Sequence, residues 1–327
     1  MINFHLQFPI PELKNKINYT QKIIFIGSCF AQNIGNLFTQ YKFNTLINTH
    51  GIQYNPWSIA NALTKCMLNE SLSKDELFFA NESWNSWEHH SRFSNVKKSE
   101  CLHQINAEIN TGYNYLNSAD WLIITLGSSF VYQHLQTNRL VANCHKISQK
   151  QFSKQLLSTT KTVLLFEELI NQLKEKNKDL KIVFTISPVR YIRDGVVENN
   201  LSKARLIDAV HTLVNRYSHC FYFPAYELIM DDLRDYRFFK DDLVHPTEQA
   251  IQYVFDKFID ASVDKESKIL LEKIKEINAA KNHRPTDANL ESYQLFKSVF
   301  LEKCYQLKKE NPSIELDNEI NFFGSGN

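Results

Sequence analysis

Apolar and polar positions in this chain follow two repeating patterns, and the order in which they alternate suggests an architecture. Lys22–Gly27 reads Lys-Ile-Ile-Phe-Ile-Gly, an apolar run without polar alternation, as in a strand covered on both faces. Residues 30–40 then take helical spacing, and 43–48 form a second short strand. Pro56 opens a helix over 57–67, where a first-turn proline is well placed. Residues 120–127, Asp-Trp-Leu-Ile-Ile-Thr-Leu-Gly, are the most strand-like stretch, and 181–187 and 220–223 add two more strands. The spacing predicts a hairpin over 130–142 and helices over 148–176, 201–217 and 247–263. Strands alternating with helices call for a parallel sheet covered on both faces, here a three-layer α/β/α sandwich with a five-stranded parallel sheet.

Two regions depart from that rhythm. An insertion at about 70–118 holds Trp84, Trp87, His89, His90, Arg92 and Phe93 with little periodicity, which fits either a wall over a crevice or simple packing. Residues 1–263 then form one domain, and 264–327 a C-terminal helical arm and tail. The arm shows helix-like spacing at Ile269, Leu270, Leu271, Ile274 and Ile277, broken at Arg284-Pro285. It either closes on the domain or joins a second copy in a homodimer. Residues 1–21 read as a weakly patterned surface segment and 322–327 as a disordered end.

Charge and cysteines narrow the function classes. The 327 residues carry 37 Lys+Arg against 36 Asp+Glu, and no basic run with interleaved aromatics offers a grip on a phosphate backbone. Nucleic acid is therefore not an expected partner. No apolar run approaches the roughly 20 residues of a membrane helix, and residues 1–21 hold no apolar signal core. The expectation is a cytoplasmic protein without membrane insertion. The six cysteines, at 29, 66, 101, 144, 220 and 304, include no C-x-x-C pair, which argues against a zinc site and against a disulfide framework.

Candidate chemistry gathers at the carboxyl ends of the strands. Ser28 ends the first strand and begins a helix, a junction where a hydroxyl lies beside unpaired N–H groups. Asp242 and His245 follow the fifth strand; a carboxylate three residues before an imidazole is placed to orient it, and an imidazole can take the proton of a serine. The plainer readings are that Ser28 caps a helix and that His245 is structural. Cys29 is the rival nucleophile, and Arg190 and Arg193 are candidates for an anionic group.

Gly27-Ser28-Cys29-Phe30-Ala31 spells the motif for which the GSCFA family is named, and that family resembles the SGNH/GDSL hydrolases. Further matching stretches are 51–56 (Gly-Ile-Gln-Tyr-Asn-Pro), 125–127 (Thr-Leu-Gly), 143–146 (Asn-Cys-His-Lys), 187–190 (Ser-Pro-Val-Arg) and 242–246 (Asp-Leu-Val-His-Pro). The resemblance spans about residues 20–260 and implies an SGNH-hydrolase-like, flavodoxin-like fold. It further implies a serine ester hydrolase or acyltransferase acting on a small-molecule or carbohydrate acyl ester, with no cofactor and no metal. Ser28 matches the nucleophile, Asp242 and His245 the Asp-x-x-His pair, and Gly51 the oxyanion glycine. The superfamily's Gly-x-Asn-Asp block is replaced by Gly127-Ser128-Ser129-Phe130, so its amide donor is missing. Ser129 stands in its place, and Asn55 or Asn143 is a substitute from another loop, with Gly127 and His145 beside them. The alternative implied by that gap is a catalytically degenerate fold that binds carbohydrate or protein.

Overall fold

The computed structural model describes residues 6–285 and 291–325. Residues 1–5, 286–290 and 326–327, and the parts of the N-terminal, arm and tail expectations that fall on them, lie outside the described residues.

The chain opens with β1 (Lys22–Gly27), α1 (Cys29–Gln40), β2 (Asn44–Ile47) and α2 (Pro56–Leu68). The insertion contributes β3 (Leu77–Ala80), β4 (Ser83–Ser86) and α3 (Lys98–Leu116) before β5 (Trp121–Leu126). Next come β6 (Phe130–His134), β7 (Arg139–Val141), β8 (Phe152–Leu156), α4 (Thr159–Lys176), β9 (Lys181–Ile186), α5 (Val196–Arg216) and β10 (Cys220–Tyr222). A short α6 (Ala225–Glu227) runs into a wider turn over Leu228–Leu233, followed by α7 (Glu248–Ser262), α8 (Lys265–Lys281), α9 (Glu291–Glu310) and α10 (Asp317–Gly324).

Five strands form one parallel sheet in the order β10-β9-β5-β1-β2. Counted along the chain this is 2-1-3-4-5, the flavodoxin-like order, whose direction of growth reverses between β1 and β5. Alternate strand residues feed two cores. Phe25, Trp121 and Ile123 pack under α1 and α7, while Ile24, Leu122, Ile124 and Phe184 pack under α2, α4 and α5. Such two-sided burial is why these strands are apolar throughout.

The reversal point is held by a glycine. Gly27 pairs with Thr125 at φ +136°, and a Cβ there would lie 2.1 Å from the Thr125 carbonyl oxygen. Only glycine allows both that backbone angle and so close an approach.

The structure differs from the sequence expectations in three places. Residues 148–176 are not one helix: β8 comes first, pairing with β6, and α4 starts only where Ser158 caps it by accepting from the Lys161 N–H at 3.2 Å. The insertion has regular structure, a β3–β4 hairpin and the 19-residue α3. Phe322 to Gly324 belong to α10, where Phe323 is buried against Phe300. The N-terminal segment does run along the surface, but it is pinned there by the burial of Leu13, Ile17 and Tyr19. The helical arm packs on this chain's own domain, with Lys42 paired to Glu319 at 2.9 Å and Asn278 Nδ2 donating to the Gln40 carbonyl at 3.0 Å.

Candidate active site

Carboxyl-terminal strand ends and the insertion enclose a cleft of about 780 Å³. Ser28, Gly127 and Ser187, from the ends of β1, β5 and β9, line it beside Tyr54 and Asn55. Asn81, Ser83, Asn85 and His90 from the insertion make another part of the wall, so that segment is part of the crevice and not packing alone. Asn143, Cys144, His145 and Lys146 enter from the β7–β8 connection, and Tyr191 and Arg193 from the loop after β9. Among the described lining residues there is no Asp or Glu.

Ser28 occupies the junction foreseen for it. Its backbone is extended, and its Oγ accepts from the Phe30 N–H at 3.2 Å, so it does cap α1 while lining the cleft. Cys29 is next to it, but burial pushes its thiol up from the ordinary value against the pull of nearby N–H groups and of Lys203. A thiol so disfavoured as thiolate is a poor nucleophile.

Asp242 and His245 form a pair. His245 Nδ1 lies 2.7 Å from Asp242 Oδ2, and Asp242 Oδ1 accepts from the backbone N–H groups of Val244 at 2.9 Å and His245 at 3.0 Å. These bonds from His245 and Val244 hold the Asp242 carboxyl down at about 2. The pair is about half exposed, and neither residue lines the cleft. Among the described residues no hydrogen bond joins Ser28 to His245. The 240–246 loop is nonetheless tied to the cleft, because the Arg190 N–H donates to the Val244 carbonyl at 3.2 Å.

The remaining candidates separate. Asn55, Gly127, Asn143 and His145 share the cleft with Ser28, whereas Gly51, Ser129 and Arg190 do not line it. Gly51 sits at φ +77° with its N–H on the Asn48 carbonyl at 2.7 Å, and a Cβ there would meet His90 Cβ at 2.2 Å. Its N–H is therefore already taken. Ser129 is fully buried against α5: its N–H goes to Ser202 Oγ at 2.7 Å and its hydroxyl to the Ser202 carbonyl at 3.2 Å. Arg190 stacks over Phe239 with 4.3 Å from guanidinium to ring centre.

Asn55 has the more useful geometry. Its Oδ1 caps α2 by accepting from the Ser58 N–H at 2.8 Å, which leaves the NH₂ end of the amide as donor. Asn143 is similar, its Oδ1 accepting from the His145 N–H at 2.9 Å. The His145 ring bonds the Ser86 carbonyl through Nε2 at 2.7 Å, and burial lowers its basicity.

Sequence reasoning missed Lys203, whose Nζ donates to the carbonyls of Gly127 and Ser187, each at 2.6 Å. The signal was there. Lys203 falls among Asn199, Ser202, Leu206, Ala209, Val210 and Leu213, the face that α5 buries, and a lysine on that stripe is out of place.

Among curated proteins none matches the chain. It is similar to solved esterase structures at a distance. One is an acetyl xylan esterase, Est2A, from the rumen bacterium Butyrivibrio proteoclasticus, at 11% identity and a TM-score of 0.40, covering 76% of this chain and 64% of that one. Another is a carbohydrate esterase of family 3 from Talaromyces cellulolyticus, at 7% identity and a TM-score of 0.36, covering 78% and 99%. A family two carbohydrate esterase from Clostridium thermocellum, solved with cellohexaose, is 12% identical with a TM-score of 0.34 over 78% and 66%. The chain thus spans about two thirds of the length of Est2A. Closer kinship is given by the families: the GSCFA C-terminal domain matches residues 274–326, the GSCFA family itself matches residues 22–258, and this chain belongs to the GSCFA family.

Proposed function

We propose that the protein is a serine acyl esterase or acyltransferase in which Ser28, His245 and Asp242 act together. The observation that carries this reading is the 2.7 Å contact between Asp242 Oδ2 and His245 Nδ1 on a loop tethered to the cleft that Ser28 lines. With Nδ1–H held by the carboxylate, Nε2 is the nitrogen free to accept a proton. Ser28 Oγ attacks the acyl carbonyl as its proton passes to His245 Nε2. The resulting oxyanion is met by N–H groups in the first turn of α1 and by the Asn55 amide. Collapse expels the alcohol, which takes the proton from His245, and water or a sugar hydroxyl then resolves the acyl-enzyme by the same steps in reverse.

A cleft rich in Asn, Ser and Tyr side chains suits a carbohydrate, whose hydroxyls need donors and acceptors and whose ring faces pack on aromatics. A second reading, a degenerate fold that only binds carbohydrate or protein, is favoured by one observation: the Gly51 N–H and Ser129 are both committed elsewhere.

A fluorophosphonate probe tests the choice. Under the esterase reading it labels the wild type and Cys29→Ala but not Ser28→Ala, and an ester panel gives Ser28-dependent turnover. Absence of labelling at Ser28 together with retained glycan binding would establish the second reading.

A further inference from the structure

Lys203 is a buried cation without a counter-charge. Its side chain is 1% exposed, and its two bonds are to main-chain carbonyls, those of Gly127 and Ser187. Buried Lys65, by contrast, has the Glu88 carboxylate at 2.9 Å. Among the described residues no carboxylate pairs with Lys203. An uncompensated buried ammonium is costly, and such a cost is seldom met where a neutral side chain would serve.

Its position gives the charge a use. Gly127 and Ser187 lie at the ends of neighbouring strands and line the cleft with Ser28, so the ammonium bonded to their carbonyls lies behind that part of the cleft lining. An ammonium has three N–H donors and these contacts occupy two. In the low dielectric of this site, a fixed positive charge acts strongly on negative charge that develops nearby.

We propose that the Lys203 ammonium stabilises the oxyanion formed at Ser28, supplying positive charge where the 127–130 turn has no amide donor. This rests on the reading of Ser28 as nucleophile. Lys203 does not touch the acyl group; it acts through the field it casts and through the two strand ends it holds.

Burial pushes Lys203 down to about 7, with the Cys29 thiol partly opposing the shift. The titratable groups that face it among the described residues are Cys29 of α1 and Tyr226 of α6, whose ring centre lies 5.9 Å from Nζ. The charge is therefore lost within the working pH range.

The test is the rate of Ser28 labelling by a fluorophosphonate between pH 5.5 and 9.5 in the wild type, Lys203→Met and Lys203→Arg, each checked by thermal melting. The wild-type rate should fall as pH rises past about 7. Lys203→Met should label about 100-fold more slowly without that alkaline fall, and Lys203→Arg should keep its rate to the top of the range. A wild-type rate and pH profile in Lys203→Met overturns the inference and leaves the Ser28 reading intact. No labelling of the wild type at any pH overturns both. Should Lys203→Met fail to fold, the wild-type profile against that of Lys203→Arg decides: an identical alkaline fall in both counts against Lys203.

Discussion

The two halves of the proposed catalytic machinery are held in different ways. Ser28 stands at the reversal point of the sheet, at the end of one of its buried central strands, fixed by the Gly27–Thr125 pairing and by helix α1, and is 1% exposed. His245 and Asp242 stand on a half-exposed loop and are fixed chiefly by hydrogen bonds to each other and to the backbone beside them. The sheet half is thus coupled to global stability, while the loop half can be altered without disturbing the core.

That contrast can be broken by experiment. The largest effect expected is on turnover: His245→Ala should reduce ester hydrolysis about 10,000-fold and leave the melting temperature unchanged. Loss of stability with little loss of rate would show that His245 is structural. Gly27→Ala should instead cost stability, about 3 kcal/mol in urea unfolding, because an added Cβ meets the Thr125 carbonyl at an unfavourable φ; a cost near zero would mean the junction can shift.

Acid sharpens the same division. His50 and His89 stack at 4.4 Å in the buried wall, and burial lowers His50 to about 3 and His89 well below its usual value. Both are neutral when folded but take up protons near pH 6.5 when unfolded, so stability is full above about 6.5 and falls as pH drops toward 3. A loss of about 2 kcal/mol or more is expected between pH 6.5 and 5, and His50→Gln should reduce it; a flat profile would contradict the burial of this pair. The smallest effect concerns the cleft mouth, where Lys146 and Arg193 are exposed and no carboxylate lies among the described lining residues. Arg193→Gln should raise KM for an anionic ester about 3-fold at low salt and leave a neutral ester unchanged. Equal changes for both esters would assign Arg193 a packing role.

The sheet was legible because two-sided burial demands uninterrupted apolar runs, and Ser28 was legible because it ends such a run. The sequence expectations failed where burial is thinner. Helix α3 buries Cys101, Ile105, Ile109, Gly112 and Leu116, a regular spacing hidden by small residues and a polar opposite face. Strand β8 reads Phe-Ser-Lys-Gln-Leu, too polar to stand out beside the helix that follows it, and the cap at Ser158 was the sign of a break. Gly51 and Ser129 were matched by motif position, which says nothing of where an N–H is spent. Lys203 went unread because a lysine in a helix is ordinarily counted with the surface.

Arg190, matched by motif and suspected of gripping an anion, is instead a fastener. It joins the cleft loop to the Val244 carbonyl through its N–H and lays its guanidinium across Phe239, six residues before His245. Tyr191 and Arg193 are therefore mechanically continuous with the loop that carries the imidazole. In the proposed mechanism the freedom of the loop that carries the base is thereby surrendered once, during folding, and not at every turnover. In that mechanism, loosening the fastener would slow the imidazole's approach to Ser28, though every reacting group stayed in place.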